Sequence, residues 1–471
     1  MSTSSSSDNG GNGNGSGRGN GSGRGNGSGR GNGSGVRGEY EGPPRTRPRT
    51  INEVWPEPFL EALAAQVAID ASRIFGRLAA AQALANVFQV CSTWRAVSRS
   101  DLLWRRLSSR IWGRTHLLHD TWHDEYIYRH RTARNFRTGT SSHFNLHFDP
   151  ADVDDPNDPD ALMCRCLALS DKYLACGFAN GAVRLFDLDT RLHARTFLPQ
   201  HRDRLGRFSR AVSGIIINDA QLVFATLDGD IHVAIITSNA APRRVHFGDV
   251  VTDGALVHFT GRGQWWVGLH AGVPGRAFHI WDGNTEQLTY VGGLLTDPDS
   301  VRGWHTLTEL TELVGRVRVT NHETAVACTS MRLVVFNLRN PEIILQQEEP
   351  RRGLIVGCFD LWNDAYVAVD NRGLGIVRRV STFQEMCRFN VRPHRGAIGC
   401  INGGYALICA GGVTRVWEIE QREGEELGEL REYLYNLRER VGEVNALVAD
   451  DRHVAASSRE GSIHVWDFGA Q

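Results

Sequence analysis

The chain has 471 residues, 41% of them hydrophobic, so it is long enough for two or more structural units and apolar enough for a sizeable core. Its formal net charge of -1 excludes a global field favouring nucleic acid or an anionic membrane, and its apolar runs are too short to span a bilayer. The polar first residues exclude a secretory signal, and the nine scattered cysteines lack paired CxxC spacing, which predicts reduced thiols in an intracellular protein without a metal site.

Residues 1–50 are of low complexity and consist mainly of Gly, Asn, Ser and Arg. Such a tract buries too little apolar surface to offset its chain entropy, so we predict a disordered tail. Gly-Arg-Gly repeats around Arg18, Arg24 and Arg30 can touch RNA, and the basic segment 45–49 could serve as a nuclear address. A solvated linker is the simpler interpretation of both.

A small helical unit is predicted over residues 51–112. Prolines 56 and 58 suit the first turn of a helix, where their missing N–H has no partner to lose. Asp101 stands at or near the N-cap of a later helix. The spacing i, i+3, i+4, i+7 gives one apolar face: Leu84, Val87, Phe88 and Cys91. A unit of this size is marginal alone and needs a partner surface.

This unit resembles an F-box. Its closing half, Val90-Cys91-Ser92-Thr93-Trp94-Arg95-Ala96-Val97 followed by Leu103-Trp104, is similar to the Val-Cys-x-x-Trp-x-x-Leu pattern. Its opening half departs, with Trp55 where leucine is usual, and the middle is longer and richer in alanine. The alternative is an ordinary helical hairpin with buried tryptophans. The resemblance implies a set of residues that contact the adaptor subunit of an SCF complex: Trp55, Pro56, Leu60, Val90, Cys91, Trp94, Leu103 and Trp104.

Residues 113–142 resemble the connecting helix of F-box proteins with WD repeats. The similarity rests on Asn135-Phe136-Arg137-Thr138-Gly139, where phenylalanine replaces the usual tryptophan. We therefore predict a linker helix that holds the two ends of the chain at a fixed distance. The acidic stretch 149–160 that follows lacks the glycine and closing glutamate of an EF-hand, so it reads as a solvated loop rather than a calcium site.

From residue 143 onward the sequence repeats a strand-rich unit seven times. A turn, usually with glycine, precedes an alternating strand that ends in Trp-Asp or a relative of it, as in Gly461–Phe468. The strand-end anchors are separated by 48, 47, 55, 42, 39 and 49 residues: Phe186, Ala234, Trp281, Phe336, Arg378, Trp417 and Trp466. This period predicts a seven-bladed WD-repeat-like β-propeller over 143–471. Its last blade lacks an outer strand, which the alternating segment 143–148 can supply to close the ring.

Function is predicted to be binding, because the sequence contains no P-loop, dinucleotide fingerprint, H-E-x-x-H or G-x-S-x-G and thus predicts neither catalysis nor a cofactor. Connections between blades emerge on one face of a propeller, and here many carry arginine, which recognises carboxylates and phosphates. We predict a rim that binds an acidic or phosphorylated peptide: Arg202, Arg204, Arg207, Arg210, Arg243, Arg244, Arg351, Arg352, Arg392, Arg395, Arg438 and Arg440. The alternative is that exposed loops simply use this chain's common base. The acidic stretch 420–432 is predicted to be a solvated loop.

The order of F-box, linker helix and propeller resembles substrate receptors of cullin-type ubiquitin ligases. Within that class, the starting segment at Trp55, Thr115–Trp122 and the terminal Val465–Phe468 are similar to a family of plant floral regulators. The resemblance implies a non-catalytic, nuclear receptor that presents regulatory proteins of flower and organ development for ubiquitination. The alternative is a nuclear scaffold or transcriptional co-regulator that meets no ligase. Direct DNA binding is not predicted, since no helix-in-groove motif is present and net charge is near zero.

Overall fold

A computed structural model describes residues 55–148, 162–200, 207–293, 315–328, 333–348, 356–370, 372–391, 396–419, 429–430 and 433–469. The predicted tail over 1–50 and the acidic loop over 149–160 lie outside these residues. Within them, no helix is long and apolar enough to cross a membrane. Residues 55–471 group into one compact unit.

Five α-helices precede the sheets in the described part of the chain, and the last two have side-chain caps at their start and glycines at their end. The helices that precede the sheets are α1 (Glu57–Phe75), α2 (Ala79–Phe88), α3 (Ser92–Ala96), α4 (Asp101–Trp112) and α5 (Trp122–Thr138). The N-cap of α4 is Ser100, whose hydroxyl accepts a hydrogen bond from the Leu103 N–H, so Asp101 lies in the first turn beside its predicted cap position. Both α4 and α5 end at a left-handed glycine, Gly113 and Gly139.

Seven four-stranded antiparallel blades follow, which confirms the predicted seven-bladed propeller. A strand named β1 (Ser142–Leu146) comes first in the chain. Blade 1 contains β2 (Cys164–Leu169), β3 (Tyr173–Phe178), β4 (Val183–Asp187) and β5 (Leu192–Phe197). Blade 2 contains β6 (Val212–Ile217), β7 (Gln221–Thr226), β8 (Ile231–Ile235) and β9 (Arg243–His246), and the short α6 (Val250–Asp253) follows it. Blade 3 contains β10 (Ala255–Arg262), β11 (Trp265–Ala271), β12 (Phe278–Asp282) and β13 (Gln287–Gly292).

The remaining blades repeat this order with one addition. Blade 4 contains β14 (Arg316–Val319), β15 (Thr324–Cys328), β16 (Leu333–Asn337) and β17 (Ile344–Glu348). Blade 5 contains β18 (Val356–Trp362), β19 (Ala365–Asp370), β20 (Leu374–Arg379) and β21 (Glu385–Asn390), with β25 (Glu429–Leu430) as a fifth, parallel strand. Blade 6 contains β22 (Ile398–Ile401), β23 (Tyr405–Ala410), β24 (Val413–Glu418) and β26 (Tyr435–Asn436). The stretch 420–432 was predicted as a loop, so the strand β25 within it is a correction; the rest of that stretch lies outside the described ranges.

Blade 7 is closed by two distant parts of the chain. It contains β27 (Val444–Ala449), β28 (His453–Ser458) and β29 (Ile463–Asp467), and β1 forms its outer strand. In the antiparallel register of this pair, Phe144 faces Val465 and Leu146 faces Ile463. β1 therefore covers the backbone edge of β29, as predicted for the segment 143–148. An uncovered edge would leave backbone N–H and C=O groups without partners.

The C-terminal end of α5 packs into the propeller. The Phe136 ring stacks on Tyr405 and Phe468, with ring centroids 4.6 and 4.2 Å apart. The Asn135 amide donates a hydrogen bond to the Phe468 carbonyl at 3.1 Å, and the Tyr435 hydroxyl donates to the Phe136 carbonyl. Phe136 is buried in the same apolar cluster as Trp466, so the helix is part of the core of blades 6 and 7.

Charged side chains fasten the other helices to the turns between the first and second strands. Arg114 lies 2.8 Å from Asp171 in the blade 1 turn, and Arg77 lies 3.6 Å from Asp451 in the blade 7 turn. Burial lowers the pKa of the Arg114 guanidinium, but Asp171 outweighs this and leaves that pKa raised. The helical unit is thereby held against one end of the propeller axis.

The ion pair between Arg114 and Asp171 is expected to contribute about 1 kcal/mol to folding, because both side chains are mostly shielded from water. A double-mutant cycle with alanine at each position, followed by urea unfolding, measures this coupling. The matched control is the pair Arg459–Glu443, which has the same 2.8 Å distance but side chains that are 60% and 67% exposed. That pair should show no measurable coupling; equal coupling in both pairs would contradict the proposed role of shielding.

Candidate functional site

The helical unit owes its shape to two helices with apolar residues at spacing i, i+4. In α1, Leu60, Ala64 and Ala68 are buried, and in α4 Leu103 and Leu107 are buried against them. The small side chains of the buried alanines allow the helices of this unit to approach each other closely. This core fixes which side chains of the unit can meet another protein.

The predicted adaptor residues divide into exposed and buried groups. Trp55 and Val90 are 52% and 61% exposed, Pro56 and Cys91 are also exposed, and Trp94 is half-buried. The other three residues of the set lie inside the helical core: Leu60, Leu103 and Trp104. Since a buried side chain cannot touch a partner directly, the predicted direct contact of these three is corrected to support of the surface from within. Direct contact of the other five stays a prediction.

Further exposed apolar side chains accompany the predicted ones. Phe59 stacks on Trp55 with ring centroids 4.6 Å apart, and Phe75 and Leu102 are 64% and 68% exposed. Exposed large apolar side chains are candidates for an interaction surface. The exposure of Phe59 and Leu102 could have been predicted from the sequence. The helical register that buries Leu60 and Leu103 turns these neighbouring residues outward.

Cys91 occupies the N-cap position of the short helix α3. The hydrogen bond from the Trp94 backbone is the main cause that lowers the pKa of its exposed thiol. Cys91 is therefore a small exposed group at a helix start, next to Val90.

The predicted arginine rim is brought together only in part. Arg202, Arg204, Arg351, Arg352, Arg392 and Arg395 lie outside the described residues. Arg243 and Arg244 were predicted between blades 2 and 3, but they belong to the outer strand β9, which is a correction. Arg243 pairs with Glu286 at 2.6 Å and Arg244 with Asp230 at 2.7 Å, so their charges are already neutralised.

Four predicted rim residues do lie in connections between blades. Arg207 and Arg210 form a short 3-10 turn before β6, and Arg438 and Arg440 lie between β26 and β27. Arg438 and Arg440 are exposed. The two connections emerge on the same side of the propeller by topology, opposite the turns that contact the helical unit.

A channel of about 2100 Å³ runs along the propeller axis. First strands of all seven blades line it, and the end of α4 with Arg77 lines one of its ends. Three polar side chains meet on its wall: Arg318 Nε donates to Asp360 at 2.6 Å, and Arg318 Nη1 donates to His258 Nε2 at 3.0 Å. Burial first, and then the charges of Arg318 and Arg316, keep the pKa of His258 well below its usual range, so this imidazole is neutral and can accept.

Sequence reasoning missed this channel wall. Its signal was the segment Arg316-Val317-Arg318-Val319, where alternate residues point to one face of a strand while both valines are buried. The sequence does not show that these arginines lie near residues of other blades, because this proximity arises only when the first strands converge on one axis.

Known proteins resemble this chain in part and in whole. A family model described as F-box-like matches residues 71–110, which confirms an F-box-like region and leaves the opening segment at Trp55 outside the match. The chain is 58% identical over 479 residues to the Arabidopsis thaliana protein named Transcriptional regulator STERILE APETALA, with 100% of each chain covered.

Two solved structures share a lesser likeness. The computationally designed Ika8 protein is 16% identical, with 64% of this chain and 96% of that chain covered at a TM-score of 0.43. BamB from Moraxella catarrhalis is 15% identical, with coverage of 65% and 85% and a TM-score of 0.44. Family membership rests on the full-length relative: the chain belongs to the STERILE APETALA family.

Proposed function

We propose that the chain is the substrate-recognition subunit of an SCF-type ubiquitin ligase, and that it performs no catalysis itself. The observation that carries this proposal is the F-box-like unit with exposed apolar side chains, joined to a propeller by shared core packing. The exposed group of Trp55, Phe59, Val90 and Leu102 would meet the SCF adaptor subunit. Cullin would be reached indirectly through that adaptor.

The propeller would hold the protein that is to be modified. The helical unit occupies the end of the axis formed by the first-to-second-strand turns, so the opposite side, with Arg210, Arg438 and Arg440, is the free side for substrate. Arginines there favour an acidic or phosphorylated segment. The chain would then act by raising the effective concentration of substrate near the charged ubiquitin carrier.

Rigid attachment supports this role. Because Phe136 is shared between α5 and the core of blades 6 and 7, the adaptor surface and the substrate side keep a fixed distance. We place this activity in the nucleus, on regulatory proteins of flower and organ development, as the family resemblance implies.

The double substitution Val90→Asp/Leu102→Asp is expected to reduce capture of the full-length chain by the SCF adaptor to background. Both side chains are exposed, so the charges leave the protein's own core intact, but an adaptor that covered them would bury unpaired carboxylates. A pull-down with purified adaptor measures the effect.

The matched control is Leu117→Asp/Leu118→Asp, which makes the same change on exposed leucines after the F-box-like region. This variant should bind the adaptor as the original chain does. Retained binding by both variants would refute the assigned surface, and a chain that never binds the adaptor would refute the ligase role.

A second function is favoured by the name of the full-length relative, which is a transcriptional regulator. In that case the chain would be a nuclear scaffold or co-regulator whose propeller binds proteins without a ligase. The same pull-down separates the two functions, because a scaffold binds nuclear partners through the propeller and ignores the SCF adaptor.

A further inference from the structure

Part of the wall of the axial channel carries a cluster of arginines. Arg165, Arg316 and Arg318 all line it, together with the neutral His258. The carboxylate of Asp360 contacts this group, and both of its oxygens are already used: one accepts from Arg318 at 2.6 Å and the other from the Ile401 N–H at 3.0 Å. Within the described residues, the carboxylate of Asp360 therefore pairs with Arg318 and not with Arg165 or Arg316.

Arg318 influences neighbours that the other two guanidiniums also influence: Cys166 with Arg165, and His258 with Arg316. Burial raises the pKa of the Cys166 thiol, and the charges of Arg165 and Arg318 both oppose this rise. Burial also lowers the pKa of the Arg316 guanidinium, and the charge of Arg318 lowers it further. Arg165 of blade 1 and Arg318 of blade 4 therefore act on the same thiol from two parts of the channel lining.

The backbone directs these side chains into the channel. Arg316 and Arg318 alternate with Val317 and Val319, whose side chains are buried on the opposite face of β14. Arg165 is the residue passed over by a register shift between β2 and β3, where Cys164 and Cys166 keep partners. A bulge of this kind re-aims a side chain.

Some arginines that line the channel have a carboxylate partner within the described residues and others do not. Arg77, Arg114 and Arg459 each have a carboxylate partner. Among the residues that the structure describes, Arg165 and Arg316 have no carboxylate within ion-pair distance. Both side chains are only partly exposed, and partly shielded like charges without a counter-ion are costly, so the wall favours an anion.

Neutral donors complete the surroundings. Asn445 Nδ2 and His258 Nδ1 are buried, line the same channel and have no hydrogen-bond partner within the described ranges. Since Arg318 donates to His258 Nε2, the proton of this neutral ring is on Nδ1, where it can be donated. Buried donors normally have partners, and an oxyanion accepts from several at once.

We infer that the channel-wall cluster of Arg165, Arg316 and Arg318 binds a small multivalent oxyanion of the phosphate class, which enters as a free ion. This site is separate from the adaptor and substrate surfaces proposed above, and it holds or fails independently of the ligase role. Bound anion would neutralise the wall and tie blades 1 and 4 together across the axis.

Titration of the full-length protein with orthophosphate, pyrophosphate and tripolyphosphate tests the inference by calorimetry and by melting temperature, at ionic strength matched with chloride. Binding should be saturable, should raise the melting temperature, and should strengthen as charge increases. The double variant Arg165→Gln/Arg316→Gln should bind roughly tenfold more weakly or worse, because two charge-assisted hydrogen-bond donors are lost. Without anion, this variant should melt no lower than the original chain, since like-charge repulsion is relieved.

The matched control is Arg131→Gln/Arg134→Gln, which removes the same charge from exposed residues of α5 outside the channel. It should retain anion binding. Equal melting shifts in all three proteins would mean a general ionic effect and overturn the site, as would an original chain that ignores all three ions. If the double variant folds poorly, the anion affinity of Arg316→Lys is measured instead. This variant keeps the positive charge but loses the paired N–H donors of the guanidinium. Unchanged affinity in that variant also counts against guanidinium recognition.

Discussion

Leu146→Asp is expected to open the ring of blades and to lower the free energy of unfolding by about 4 kcal/mol or more. Leu146 is 2% exposed and packs with Ile463 and Val465 of β29 and with Cys164 and Leu174 of blade 1. The substitution removes this packing and places a carboxylate among apolar side chains. β1 can escape that cost only by leaving β29, which exposes a free sheet edge.

Urea unfolding followed by tryptophan fluorescence measures this loss, with Trp466 beside β1 as a local reporter. The matched control is Asn145→Asp, which places the same carboxylate on the adjacent, exposed position of the same strand. Its effect should stay within about 0.5 kcal/mol. Equal unfolding midpoints for the two variants would show that β1 does not close the ring.

Glu125→Ala is expected to destabilise the protein by about 3–5 kcal/mol. Glu125 is fully buried and lies 2.7 Å from both Arg129 Nε and His119 Nδ1. Its removal leaves the Arg129 guanidinium, itself 3% exposed, without a counter-charge. The control is the double variant Glu125→Leu/Arg129→Met, which replaces the pair by apolar groups of similar volume and should recover most of the loss. A double variant as unstable as the single one would contradict this account.

The same carboxylate predicts a pH dependence. Burial alone would raise the pKa of Glu125, but hydrogen bonds from His119 and Arg129 outweigh it and the net pKa is lowered. A lowered folded pKa stabilises the protein above the unfolded value of about 4.3 and loses that contribution as pH falls through the folded value. Unfolding midpoints measured from about pH 6 to about pH 3 should therefore fall less steeply in the Glu125→Leu/Arg129→Met variant than in the original chain.

The fold could be predicted because its signal repeats. Strands such as Val183–Asp187 and Ile463–Asp467 alternate in the same way at a spacing of one blade, and the closing strand reveals itself by the same alternation at Phe144 and Leu146. The two-residue strand β25 could not be foreseen, because Glu429 and Leu430 pair in parallel with β21, a contact that no local pattern encodes.

The candidate sites were less accessible from the sequence. Motif matching selected Leu60, Leu103 and Trp104 as contact residues, although helical register places them in the core. Arg243 and Arg244 were assigned to a connection because no turn residue or alternating pattern marks where the short outer strand β9 begins. Arg165 reaches the channel through a bulge, and the function of Arg316 and Arg318 depends on neighbours contributed by other blades.

Because β1 and β29 close the ring together, β1 cannot pair until β29 has been synthesised. His143 and its partner His464 are 321 residues apart in the chain. At a ribosomal rate of roughly 5–20 residues per second, β1 waits about 15 to 65 s for its partner strand. During this interval Phe144 and Leu146 lack the surface that later covers them, so the nascent chain offers a binding site for chaperones until β29 has emerged.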